Sequence, residues 1–85
     1  MDFRWDPLKN EALRRARGIS FEEILRAVLV VVRSHPTRPN QKLFYFEVNG
    51  YIWVVPCVKR GDELFLKTAF PSRKHTKLWI QGDLG

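Results

Sequence analysis

The sequence predicts an α+β fold, with two N-terminal helices packed on one face of a three- to four-stranded antiparallel sheet and a short basic C-terminal segment behind it. Three observations predict it. Two helix-start signals stand within the first quarter of the chain. After a proline-containing loop the apolar period changes to two, and the dipeptide Asn49-Gly50 then separates two alternating runs. At 85 residues the chain has room for one domain, residues 1–85.

Residues 2–5 alternate apolar and polar, as a short half-buried edge strand does. Asp6-Pro7 then supplies a capping carboxylate and a proline at the first helical position, where no N–H is needed. Leu8 to Arg17 are good helix formers, with Leu8, Ala12, Leu13 and Ala16 on one side and Gly18 as the stop. Ser20-Phe21-Glu22-Glu23 is a capping box, and Ile19 and Ile24 take the hydrophobic staple positions around it. The second helix is expected to end between Ala27 and Arg33, because Val28–Val32 is equally strand-like.

His35 to Gln41 is a loop by its two prolines and its polarity. Leu43–Val48 and Tyr51–Val58 flank Asn49-Gly50, the dipeptide best suited to a type I′ hairpin. Lys59-Arg60-Gly61-Asp62 turns the chain into Glu63–Phe70, completing a meander. Register follows from the turns. One face carries Phe44, Phe46, Val48, Tyr51, Trp53, Val55, Cys57, Leu64, Leu66, Thr68 and Phe70 and is expected to pack on the helices. The other carries Leu43, Tyr45, Glu47, Ile52, Val54, Pro56, Val58, Phe65, Lys67 and Ala69, apolar enough to predict a protein partner over part of it.

Fifteen Lys/Arg against nine Asp/Glu give a net charge of +6 and a pI near 10.0, on a chain that is 45% apolar and 13% aromatic. That hydrophobicity excludes a disordered basic tail, and the size excludes a large cofactor-dependent enzyme. Residues 34–85 carry a balance of +4 against +2 for residues 1–33, so the charge gathers on the sheet and the segment after it. The single cysteine, Cys57, forms no internal disulfide, and no His/Cys cluster has zinc spacing, so no metal or cofactor is expected. The start of the chain lacks the apolar core of a signal peptide and no apolar run spans a bilayer, which predicts a cytoplasmic protein without a membrane partner.

Two readings of the basic residues stand side by side. Arg73, Lys74, His75 and Lys77 follow the last strand, with Lys42 and His35 toward the same rim, and together they suit phosphate binding. The plain alternative is a solvated charged face with structural histidines.

Phe3-Arg4-Trp5-Asp6-Pro7, followed by Lys9-Asn10 and by Gly18-Ile19-Ser20-Phe21-Glu22-Glu23, resembles the N-terminal half of BrnT-type toxins, the toxin halves of bacterial toxin–antitoxin pairs. Phe70-Pro71-Ser72-Arg73-Lys74 resembles the strand end of that family. The likeness covers residues 2–77, while the loop from His35 to Gln41 departs from the family's acidic linker. The resemblance implies a RelE/ParE-like fold and a metal-independent ribonuclease. It also implies a cognate antitoxin on part of the outer sheet face, through which the toxin can oligomerise.

Such an enzyme uses the RNA 2′-hydroxyl as nucleophile and needs a base, cations for the phosphoryl oxygens and an acid. Arg73 leads for the phosphate, because guanidinium pairs phosphate oxygens bidentately, and Lys67 and Lys74 support it. His75, His35 and Glu47 are the acid–base candidates. Lys74, Lys77, Lys42 and Tyr45 are expected to hold RNA, Tyr45 by stacking. Two alternatives use the same residues: a ParE-like toxin that binds a protein target such as a topoisomerase without cutting, and a non-catalytic nucleic-acid-binding module.

Overall fold

The computed structural model describes residues 2–85; Met1 lies outside the described residues. Its elements in chain order are β1 (Asp2–Arg4), α1 (Pro7–Arg17), α2 (Phe21–Leu25), β2 (Val28–Ser34), β3 (Gln41–Val48), β4 (Tyr51–Arg60), β5 (Glu63–Leu66), β6 (Phe70–Pro71) and α3 (Arg73–Ile80). The strands form one sheet in the order β1-β5-β4-β3-β2, with β6 pairing β4 beyond the end of β5.

The local start and stop signals act as their chemistry demands. The Asp6 carboxylate accepts the Leu8 N–H at 2.8 Å, and Gly18 closes α1 in the left-handed region at φ 71°. Ser20 and Glu23 form both halves of the capping box. Asn49 and Gly50 both take positive φ, as a type I′ turn requires, and Val48↔Tyr51, Phe46↔Trp53 and Phe44↔Val55 pair in register.

The fold class departs from expectation in three ways. First, α2 stops at Leu25 and Val28–Ser34 forms a strand, because the β-branched run packs better on a pleated edge than on a helix. Second, the sheet has six strands rather than three or four and is mixed rather than antiparallel: β1 lies parallel to β5, pairing Phe3 with Leu64. Alternation shows which face a strand buries, but not its partner or direction. Third, the basic C-terminal segment is a helix, α3, and it lies on the sheet face opposite α1 and α2.

The sheet therefore has a core on each side. Leu13, Phe21 and Ile24 from α1 and α2 pack on Phe44, Phe46, Val55, Cys57, Leu64 and Leu66. On the other face Tyr45, Ile52 and Val54 pack with Trp79 of α3, Leu84, Val30 and Val31. The two valines share that face because β2 bulges there, with Leu29 opposite Phe46 and Val31 opposite Tyr45. α3 is fastened by backbone as well: Ile52 accepts the Ser72 N–H at 2.8 Å and donates its own N–H to Thr76 Oγ1 at 2.8 Å.

A second bulge decides where the site lies. Cys57 faces Leu66 and Val54 faces Phe70, so Pro56 and Val55 stand against the three residues Lys67, Thr68 and Ala69. The cause is Pro56. It accepts the Lys67 N–H at 2.9 Å but has no N–H to return, so the ladder fails there and slips by one residue. A slip of one exchanges the faces. Ala69, expected outside, is 1% exposed in the helix-side core, and Phe70, expected inside, turns to the outer face.

α1 also departs from its expected apolar stripe: Leu8 is 80% exposed while Asn10 is buried. The Asn10 amide explains it, accepting the Phe21 N–H at 2.9 Å and donating to Glu22 Oε1 at 2.6 Å, which joins α1 to the start of α2. The same amide, ahead of Glu22's own backbone N–H, holds the Glu22 carboxyl below its ordinary range. Asn10→Ala leaves the buried Phe21 N–H without an acceptor and is expected to cost about 1–3 kcal/mol. Urea unfolding measures it, and a loss under about 0.5 kcal/mol would show that the amide is not a structural joint.

Candidate functional site

A cavity of about 550 Å³ opens on the outer sheet face, between the loop after β2, the bulge at Lys67-Thr68 and the start of α3. Leu43, Val54, Pro56 and Phe70 give it an apolar floor, and His35, Arg38, Tyr45, Lys67 and His75 supply its polar groups. Among the described residues no carboxylate lines it. The chemistry on offer is that of a site for an anion carrying a flat apolar group.

His75 is held from both sides. Its Nδ1 lies 2.7 Å from Ser72 Oγ, and its Nε2 lies 3.3 Å from the Tyr45 hydroxyl. Ser72 is the N-cap of α3 and accepts the His75 backbone N–H, so one hydroxyl both starts the helix and fixes the ring that the helix carries. Two proton arrangements satisfy the chain. Either Ser72 donates to Nδ1 and Nε2–H donates to Tyr45, or Nδ1–H donates to Ser72 and Tyr45 donates to Nε2. The Tyr45 and His75 rings meet edge to face at 4.7 Å. Burial, then the charges of Lys74 and Arg33, push the His75 pKa below its ordinary value, which keeps the imidazole neutral near pH 7 and able to take a proton.

His35 is set differently. Its Nδ1 accepts the backbone N–H groups of Thr37 and Arg38, both at 3.2 Å, which places the neutral ring's proton on Nε2. It is a donor toward the cavity, built into the loop.

Four of the residues singled out from sequence thus share one cavity: His35, Tyr45, Lys67 and His75. Arg73, Lys74 and Lys77 lie along another side of α3, around a shallow depression with Leu78 and Gln81. Glu47 is at the hairpin end of β3, where its carboxylate accepts the Gly50 N–H at 2.6 Å. Lys42 pairs with Ser34 and Cys57 near the other end of β3 and is not among the cavity's lining residues. Sequence reasoning missed Arg38, Thr68 and Arg33, whose guanidinium lies 6.0 Å from the Tyr45 ring centre. The legible signal was Pro56, whose missing donor forces the bulge that presents Thr68. Cys57 is fully buried and burial pushes its thiol up to about 12, so it supplies no thiolate nucleophile. Among the described residues no group of three His, Cys, Asp or Glu could hold a metal ion, and no helix is long and apolar enough to cross a membrane.

Among solved structures, the crystal structure of the Brucella abortus ribonuclease toxin BrnT aligns with this chain at a TM-score of 0.57 and 23% sequence identity, covering 85% of this chain and 96% of that one. The fold is that of BrnT. No protein-family model and no curated protein matches the sequence. At 23% identity the likeness to BrnT carries the course of the chain, and the chemistry of the cavity rests on its own residues and distances.

Proposed function

We propose that this chain is a ribonuclease toxin that cleaves RNA by attack of a 2′-hydroxyl on the adjacent phosphorus, without a metal ion, in the cavity around His75. The observation that carries the reading is the Ser72–His75–Tyr45 hydrogen-bonded chain, a positioned neutral imidazole in a carboxylate-free, cation-rimmed cavity. The shared fold with a protein described as a ribonuclease toxin supports it.

In the tautomer with the proton on Nδ1, the 2′-hydroxyl displaces the Tyr45 O–H from His75 Nε2, Nε2 takes the 2′ proton, and the oxygen attacks phosphorus to form a 2′,3′-cyclic phosphate. Lys67 and Arg38 offset the charge that gathers on the phosphoryl oxygens, and His35 Nε2–H donates to one of them. The departing 5′-oxygen takes a proton from the Lys67 ammonium, which lines the cavity from the bulge side. Tyr45 and the apolar floor hold the base, while Arg73, Lys74, Lys77 and Lys42 hold phosphates farther along the strand. The protein is read as one cytoplasmic domain. α3 takes much of the outer face on which a partner was expected. A cognate antitoxin, acidic to meet the +6 charge, is therefore placed instead on the helix-side face of β2, where Leu29 and Val32 are exposed.

The test is incubation of the purified chain with an RNA oligomer in the presence of a chelator. Cleavage is expected to leave 2′,3′-cyclic phosphate and 5′-hydroxyl ends, and a 2′-deoxy substitution at the cut site is expected to block it. Intact RNA bound in a salt-dependent way would favour the non-catalytic reading instead.

A further inference from the structure

A second cleft, of about 330 Å³, lies on the opposite side of the Lys67–Ala69 bulge, between it and α1. Lys9 and Arg17 reach it from α1 and Lys67 from the bulge, over a floor that includes Leu13 and Phe21. Three cations and no carboxylate line it. Among the described residues Arg4 pairs with Glu63 at 2.9 Å and Arg15 with Glu11 at 3.5 Å, and these three, like most of the other cations, have no acidic partner; what sets them apart is that they line one cleft. Like charges left together without a counter-charge raise the energy of the free protein and are relieved by a bound anion. Lys67 and Thr68 line this cleft and the His75 cavity alike, so the two are joined across one ridge.

We propose that the cleft is a second subsite for single-stranded RNA, taking the strand as it leaves the His75 cavity over the Lys67-Thr68 ridge. The proposal rests on the reading of the chain as an RNA-cleaving protein and adds where the substrate runs. Lys9 and Arg17 are eight residues apart on α1, about 12 Å along its axis, so they grip different phosphates of one strand rather than the same one. The apolar floor between them accepts a base face. RNA long enough to cross the ridge is therefore held more tightly than a dinucleotide, which fills the His75 cavity alone.

The test uses the Lys9→Glu/Arg17→Glu double variant, with Arg14→Glu/Arg15→Glu as a control of equal charge change elsewhere on α1. Binding of a fully 2′-O-methylated RNA 12-mer, which cannot be cut at the 2′ position, is measured by fluorescence anisotropy across a salt series. KM is measured for cleavable 12-mer and dinucleotide. Lys9→Glu/Arg17→Glu is expected to weaken 12-mer binding at least tenfold and to lower the salt slope by about 1.4, the share of two phosphate contacts on a single strand. The advantage in KM of the 12-mer over the dinucleotide is expected to shrink by the same factor, leaving only what Arg73, Lys74, Lys77 and Lys42 supply. Equal losses in both double variants, or no loss in the first, would overturn the subsite. If the charge reversals unfold the chain, Lys9→Gln/Arg17→Gln gives the same comparison. Tight binding that depends on Lys9 and Arg17, without cleavage by the unaltered protein, would uphold the subsite while overturning the nuclease reading.

Discussion

His75→Gln is expected to lower the RNA cleavage rate by about two to four orders of magnitude, the usual worth of a positioned general base, with RNA binding largely kept. Glutamine retains hydrogen-bonding capacity toward Tyr45 and Ser72, so the loss reports proton transfer rather than collapse of the cavity. The pH profile supplies a second readout. Burial first, then Lys74 and Arg33, hold the His75 pKa below its ordinary 6.5, so the acid limb of kcat/KM lies below that value. Removing a neighbouring cation eases protonation, so Lys74→Gln moves the limb upward. The same shift bears on stability. The folded state holds the neutral ring, so its contribution is full above the unfolded value of 6.5 and is lost as pH falls through the lower folded value. A His75→Gln protein that cleaves at the full rate, or an acid limb indifferent to Lys74, would remove His75 from the reaction.

Phe21→Ala is expected to cost about 3–5 kcal/mol, the range for emptying a buried aromatic site. Phe21 is 1% exposed, and its ring centre lies 5.8 Å from that of Trp5. It opens α2 directly after the Ser20 cap, and its N–H is the group that Asn10 holds. One ring thus joins β1's exit, both N-terminal helices and the inner sheet face. Against a total of about 5–15 kcal/mol for a protein of ordinary stability, that loss is between about a fifth of the folded margin and all of it. Urea unfolding is expected to show a midpoint shifted sharply down at unchanged slope, and melting lowered by roughly 10 °C or more. A loss below about 1 kcal/mol would mean that the neighbouring side chains close the cavity, and that the joint lies elsewhere.

Legibility differed by the kind of signal. Asp6-Pro7, Gly18, the Ser20–Glu23 box and Asn49-Gly50 act within four residues of themselves, and each appears where its chemistry places it. β1's parallel pairing with β5 joins residues some sixty positions apart, and nothing in Asp2–Arg4 names that partner. The site shows the same division. Tyr45 and Lys67 follow from strand register, and both reach the cavity. Arg73 and His75 would share a side in an extended segment, where side chains repeat every two residues. In a helix, two residues are about 200° of rotation, so the formation of α3 sends Arg73 away from the ring beside which it had been placed. Glu47 shares an outer face with Tyr45, but it sits two residues nearer the hairpin end and is taken up by the turn.

Pro56 gives the cavity one part of its apolar floor, and its missing hydrogen shapes the rest. Because β5 cannot continue past it in register, Phe70 becomes a floor residue instead of a core residue, and Lys67-Thr68 becomes a shared ridge instead of ordinary strand. The shape of the cavity is therefore written partly in the main chain, in a donor that one of its own floor residues lacks. A relative with every polar residue of the cavity but valine at position 56 would regain the donor, run the strand straight, and present those same groups to nothing. In comparing such proteins, this proline is as informative a marker of the cavity's shape as any residue that lines it.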